Sequence, residues 1–253
     1  MDASWLAELP LVGLVFARCG GLLALAPPLN VRQFPVSLRL GIAGVIAIAL
    51  APIAQVQEAR TYLPLEYTAL LLREVGIGLL MGFAAALVFW AFLIAGQLLD
   101  SYLGAGEASA RQQGQGPLAT LLYLVAAAAF VAADAHHWVL AALAQGLQAL
   151  PLGAGVFSPA SLSGAGGLVR GMLAVGVAVA APTLAVIYAA EVTLASFDRC
   201  APALNLGALH QPVRWSAGLL ALAACLPLLS RVVMTQGQRV IESLSMVLRA
   251  LGG

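Results

Sequence analysis

From Val75 to Leu99 the chain runs without one charged residue, and directly after it comes a polar island, Asp100 to Gly116. An apolar run of that length exceeds the ~20 residues needed to cross ~30 Å of hydrocarbon. In lipid the segment must satisfy its own backbone hydrogen bonds, and without a strand-like alternation that means a helix. The island carries Asp100, Glu107, Arg111, three glutamines and four glycines. Its glycines let the backbone turn or unwind at little steric cost. Pro117 to Ala133 is then uncharged and apolar again. Irregular backbone at membrane depth is tolerated only inside protein or beside a water-filled cavity. The island is therefore either an ordinary exposed connection or a segment that lines or blocks a pore, and composition leaves both open.

The remainder is of the same kind. Of 253 residues, 62% are hydrophobic and 9% charged, against about 45–50% and about 25% in soluble domains. Such a chain cannot cover itself with polar surface, so an integral membrane protein in contact with lipid is expected, read as one domain over 1–253. The formal charge is +1 and no basic run occurs, so no nucleic-acid partner is indicated. All twelve basic residues are arginine, which removes a phosphate-binding or Schiff-base lysine. Cys19, Cys200 and Cys225 are widely spaced without a CxxC pair and read as small buried hydrophobes. Ala24-Leu25-Ala26 resembles a cleavage site, but Asp2 and Glu8 replace the usual basic leader region, so the first segment is expected to be retained.

The candidate spans are Trp5 to Ala26, Leu38 to Val56 and Tyr67 to Leu99, then Pro117 to Ala133, Trp138 to Leu150, Leu168 to Ala190 and Ser216 to Leu229. Arg231 to Leu251 reads as a final amphipathic stretch. Pro151 to Gly167 reads as a glycine- and serine-rich link, Glu191 to Arg214 as a breaker-rich region, and Pro182 as a kink. The fold class expected is all-α, with polytopic membrane-type hairpins. Three runs, at 117–133, 138–150 and 216–229, are short for a crossing, and the arginines leave the orientation open. Helices packed mainly on other subunits would show this pattern. Gly78 and Gly82 form a small-xxx-small face that lets two helix backbones approach closely. Arg18 interrupts the first span; an arginine at the centre of a lipid-facing helix costs ~2.5–3.5 kcal/mol. It should meet a carboxylate, a carbonyl or a watery interior, as a pore or subunit contact, or else snorkel from a helix set off-centre.

Little points to catalysis. Asp134, His136 and His137 are the most enzyme-like cluster, but adjacent histidines on a helix are expected to point apart and not to share a metal. His210 has no evident ligand nearby. No GxSxG occurs. Glu74, Asp100 and Glu191 could form a proton relay of a coupled small-solute transporter, yet each also sits at the edge of an apolar run, where solvation alone accounts for charge.

Three stretches together resemble the flagellar biosynthetic protein FliR family and its injectisome relative, SctT. The first is Phe16-Ala-Arg-Cys-Gly-Gly-Leu-Leu-Ala-Leu-Ala-Pro27, with Phe34-Pro-Val-Ser-Leu-Arg-Leu-Gly41 and Ala51-Pro52. The second is Arg73-Glu-Val-Gly-Ile-Gly-Leu-Leu-Met-Gly-Phe83 leading to Ala95-Gly-Gln-Leu-Leu-Asp100. The third is Phe197-Asp-Arg-Cys-Ala-Pro-Ala-Leu-Asn205, similar to the family's arginine-x-x-proline-x-x-asparagine at Arg199, Pro202 and Asn205. His136-His137-Trp138 and Leu150-Pro-Leu-Gly153 are similar to the flagellar branch.

The resemblance implies a non-enzymatic, cofactor-free subunit of the inner-membrane type III export gate in the flagellar basal body. Its partners would be FliP-like and FliQ-like gate subunits and FlhB-like and FlhA-like export components, with unfolded secreted proteins as substrates. Energy would come from the proton-motive force and a separate ATPase. The family's hairpins assemble into a cone that rises largely out of the bilayer plane. The resemblance also makes Leu103 to Gly116 a channel plug, with Gly104, Ala105, Gly106, Glu107, Ala108 and Ser109 as its core. Arg18, Gly78, Gly82, Arg199, Pro202 and Asn205 become helix-packing or subunit contacts. The chain departs from the family pattern at Gln112-Gln113, where relatives carry aspartate-proline, and at Ala135, where a glycine is usual. The injectisome counterpart remains the alternative.

Overall fold

The structure is a computed structural model that describes residues 4–26, 35–54, 63–105, 115–155, 159–201 and 206–251. Seven α-helices account for most of these residues, and no β-strand occurs among them. They are α1 (Ser4–Leu25), α2 (Val36–Leu50), α3 (Pro64–Leu103), α4 (Pro117–Ala132), α5 (Ala135–Ala149), α6 (Pro159–Cys200) and α7 (His210–Leu251). The chain is all-α. Among the described residues, four helices are long and apolar enough to cross a membrane, or up to five crossings if α4 and α5 together make one broken span. The protein is a multi-pass membrane protein.

Proline and glycine set most of the boundaries. Pro64, Pro117 and Pro159 occupy the first helical position of α3, α4 and α6, where the missing N–H is one that the helix leaves unbonded anyway. Gly104, at φ +78°, takes the left-handed conformation that ends α3, a conformation costly for a side chain with a Cβ. Asp134 takes it between α4 and α5, at φ 50°.

Where the sequence suggested breaks, two helices run on. α6 begins at Pro159, inside the expected glycine-serine link, and continues through Glu191 to Cys200. α7 joins the expected short span to the amphipathic tail. Pro182 and Pro227 lie inside these helices. A proline removes one backbone hydrogen bond, and once nucleated a helix gains one per added residue, so a single loss need not stop it. The 40 residues of α3 and 42 each of α6 and α7 rise ~60 Å at ~1.5 Å per residue, about twice the hydrocarbon thickness. Conversely, α4 and α5, with 16 and 15 residues, reach only ~22–24 Å each.

The chain forms two compact units interleaved in sequence. The first comprises Met1–Val88, Val131–Arg170 and Gln236–Gly253; the second comprises Phe89–Phe130 and Gly171–Thr235. In the first, Leu14, Val15 and Leu22 of α1 pack with Ile77 and Met81 of α3, Leu143 and Leu147 of α5 and Leu248 of α7. In the second, the Phe89 ring lies 6.0 Å from Tyr123 and 5.2 Å from Phe130, both tilted. Gly96 backs directly onto the Leu118–Ala119 backbone at the start of α4. α2 by contrast leaves Val45 and Ile48 about two-thirds exposed, at 70% and 67%, an apolar surface suited to hydrocarbon or another subunit.

Candidate functional site

Two buried polar nodes, one in each unit, organise the residues that the sequence singled out. In the first unit, Arg18 and Glu74 are fully buried. Arg18 Nε donates to Glu74 Oε2 at 2.5 Å, and Nη1 donates to the carbonyls of Gly146 (3.2 Å) and Leu150 (3.1 Å). Glu74 Oε1 accepts the Gly153 N–H at 3.0 Å. The guanidinium thus binds carbonyls at the slightly negative C-terminal end of α5: that of Leu150, past the last turn, and that of Gly146, which also accepts the Leu150 N–H at 3.0 Å. The carboxylate secures the turn beyond, where Gly153 is left-handed at φ +83°. Arg18 therefore meets both a carboxylate and carbonyls, all within its own chain.

The same α1–α3 seam explains three glycines. A Cβ at Gly78 would fall on the Arg18 carbonyl, one at Gly82 on the Leu22 carbonyl, and one at Gly21 on the Val75 carbonyl and Leu79 nitrogen. These contacts are backbone to backbone, so no side-chain rotation could relieve them. Gly20, next to Gly21 in sequence, has nothing within 4 Å of where a Cβ would lie.

In the second unit, Asp100 closes the neck of the polar loop. It is 2% exposed; Oδ1 accepts the Leu118 N–H at 3.0 Å and Oδ2 the Ala119 N–H at 2.8 Å. These are free N–H groups of the first turn of α4, normally bound by the residue before the helix. Gly116 has no side chain to do so, and any Cβ there would collide with the Asp100 carboxyl group. Asp100 thus acts as a cap supplied from another helix, with its negative charge at the positive end of α4.

The other end of the loop is tied as well. Gln211 Nε2 donates to the Leu103 carbonyl at 2.9 Å, and Arg214 Nη1 to the Tyr102 carbonyl at 3.2 Å. Arg214 also pairs with Glu191, which accepts the Tyr102 hydroxyl at 2.8 Å. The guanidinium lies 5.6 Å from the Tyr102 ring centroid, in range for a cation–π contact. The last carbonyls of α3 are therefore satisfied by α7, which the sequence did not reveal.

The three carboxylates suggested as a relay each have their own structural partners: Arg18 and Gly153 for Glu74, the α4 N-terminus for Asp100, Arg214 and Tyr102 for Glu191. Solvation at the edges of apolar runs does not describe Glu74 or Asp100, which are buried. Gly104 ends α3 and Ala105 follows it; Gly106, Glu107, Ala108 and Ser109 lie outside the described residues, as do Pro202 and Asn205. Arg199 is exposed in the last turn of α6, where a cation favours the helix dipole. His210, expected to lack a ligand, has Nε2 2.7 Å from Asp198 Oδ2. Cys19 is buried, but Cys200 is exposed and Cys225 half-buried.

The sequence profile of the bacterial export proteins, family 1, matches residues 9–240. The flagellar biosynthetic protein FliR of Pectobacterium carotovorum subsp. carotovorum is 28% identical over 229 residues, covering 85% of this chain and 83% of that protein. FliR of Escherichia coli K12 is 26% identical over 235 residues, covering 89% and 88%. The Yop proteins translocation protein T of Yersinia pestis is 31% identical over 206 residues, covering 77% of each.

Proposed function

This chain belongs to the bacterial export proteins, family 1, and on that premise we propose that it is a non-enzymatic subunit of a type III protein export gate in the bacterial inner membrane. It forms part of the channel wall with FliP-like and FliQ-like subunits, beside FlhB-like and FlhA-like components, and unfolded protein substrates pass along it. The observation that carries this reading is the match across nearly the whole chain, shared by relatives named for flagellar biosynthesis and for Yop translocation. Helices about twice as long as the hydrocarbon is thick suit an assembly that rises out of the bilayer plane. The structural partners of Glu74, Asp100 and Glu191 favour a scaffold over a proton-coupled transporter.

The loop from Leu103 to Gly116 acts as the plug. Its support is the neck: Asp100 holds the start of α4, and Gln211 and Arg214 hold the end of α3. A seal needs fixed ends and a middle that yields to a passing chain, a task for which the glycines and small residues among Gly104, Ala105, Gly106, Ala108 and Ser109 are suited.

We assign the chain to the flagellar branch, favoured by His136-His137-Trp138 and by the greater coverage of the FliR relatives. The higher identity to the Yop translocation protein favours the injectisome as second reading. Deleting the gene tests both. Loss of flagellar filament subunits from the medium is expected; loss of effector secretion with intact filaments would assign the injectisome instead. Purification as a homo-oligomer that transports a solute, without gate partners, would overturn the export reading.

A further inference from the structure

Asp134, His136 and His137 stand apart from both buried nodes, and all three are exposed at the start of α5. Neighbouring side chains on a helix project ~100° apart at 3.6 residues per turn, which argued against a shared ligand. The structure nonetheless brings the two rings together. The two imidazole rings lie 4.2 Å apart, centroid to centroid, at an interplanar angle of 38°. Asp134 precedes the helix with a left-handed backbone, and its carboxylate makes no capping hydrogen bond to α5. One ligand atom from each residue lies within 4.8 Å of the others.

We propose that Asp134, His136 and His137 bind one divalent transition-metal ion, with Zn²⁺ as the reference ion. Two imidazoles and a carboxylate suit zinc, copper, nickel or ferrous iron and not calcium or magnesium, which take oxygen ligands. Around a tetrahedral ion with bonds of ~2.1 Å the ligand atoms stand ~3.4 Å apart. Closing from 4.8 Å requires only rotation of solvent-exposed side chains. Three protein ligands leave a fourth position for water. The positive end of α5 opposes a cation, and the Asp134 carboxylate offsets that. A bound ion would tie the residue before α5 to its first turn and so brace the left-handed turn at Asp134.

The test uses the full chain, purified in detergent with its co-purifying partners and carrying an affinity tag that contains no histidine. Zn²⁺ is titrated calorimetrically, and Co²⁺ is followed by its visible absorption. About one ion per chain is expected, with Co²⁺ bands of nitrogen and oxygen ligation. His136→Ala and His137→Ala should each weaken binding roughly tenfold or more, Asp134→Asn by a smaller factor, and His210→Ala not at all. Saturable binding that survives the His136→Ala/His137→Ala double change would overturn the proposal, as would no saturable binding up to about 1 mM Zn²⁺. Size-exclusion profiles check folding; if alanine disturbs it, His136→Gln and His137→Gln give the same reading.

Discussion

Arg18 and Glu74, 56 residues apart, form a fully buried ion pair with Nε and Oε2 at 2.5 Å. Through their remaining groups they also hold Gly146, Leu150 and Gly153. One pair therefore joins α1, α3 and the exit of α5, which makes it the polar keystone of the first unit.

Breaking this pair from one side should be far worse than removing it whole. Arg18→Leu leaves the Glu74 carboxylate buried without its cation, a loss of about 3–5 kcal/mol. Arg18→Leu/Glu74→Leu should recover part of that loss, although the Gly153 N–H and the Leu150 carbonyl lose their partners while Gly146 keeps the Leu150 N–H. Arg18→Lys should fall between, since an ammonium cannot span carboxylate and carbonyls as the planar guanidinium does. Denaturant titration in detergent measures the series; equal stability of the two leucine variants would remove the pairing from the account.

The glycines of the α1–α3 seam should separate sharply by position. Gly78→Ala and Gly82→Ala place a methyl on another backbone and should cost at least ~1–3 kcal/mol, the usual range for overpacking. Gly20→Ala should be neutral or slightly stabilising, since a helical glycine costs ~1 kcal/mol against alanine and nothing lies within 4 Å of the new carbon. Thermal unfolding of the three single variants decides it, and a Gly20 variant as damaged as Gly78 would contradict the seam.

At the loop neck, Asp100→Ala leaves two first-turn N–H groups of α4 without acceptors. A cost of about 1–3 kcal/mol is expected. Asp100→Asn, with one acceptor oxygen, should be intermediate. Hydrogen exchange at Leu118 and Ala119 reads this locally: faster exchange in the alanine variant is expected, and unchanged protection would show that the cap lies elsewhere.

Deleting Gly104 to Ser109 keeps Asp100 and the start of α4 and removes the core of the proposed plug. The complex should still assemble, while membranes containing it pass ions or small solutes at rest. Conductance is measured in reconstituted bilayers beside the intact complex. An assembled deletion complex that stays as tight as the intact one would end the plug reading.

Much of the architecture is legible in the sequence. Pro117 and Gly104 mark real helix ends because their constraints are local: a missing N–H in one, a backbone free to turn left-handed in the other. The extents of α6 and α7 are not legible. Pro151 to Gly167 reads as a link, and Ser216 to Leu229 reads as a short run separate from Arg231 to Leu251. Helix propensity is a weak prior that propagation and packing override. The closeness of the His136 and His137 rings is not legible either, because it depends on side-chain torsions that sequence spacing does not fix.

Composition and local chemistry therefore settle the solvent and the class of fold. A chain with 9% charge and 62% apolar residues has to lie in hydrocarbon or against other apolar protein, and its backbone has to satisfy itself in helices. Which charges meet, and which glycine of a neighbouring pair is indispensable, is a relation between distant residues. Arg18 needs Glu74, Asp100 needs the start of α4, and Gly21 but not Gly20 lies against α3. Such relations exist only after helices far apart in the chain have packed, because electrostatic pairing and steric exclusion act across a few ångströms of space and are blind to sequence order.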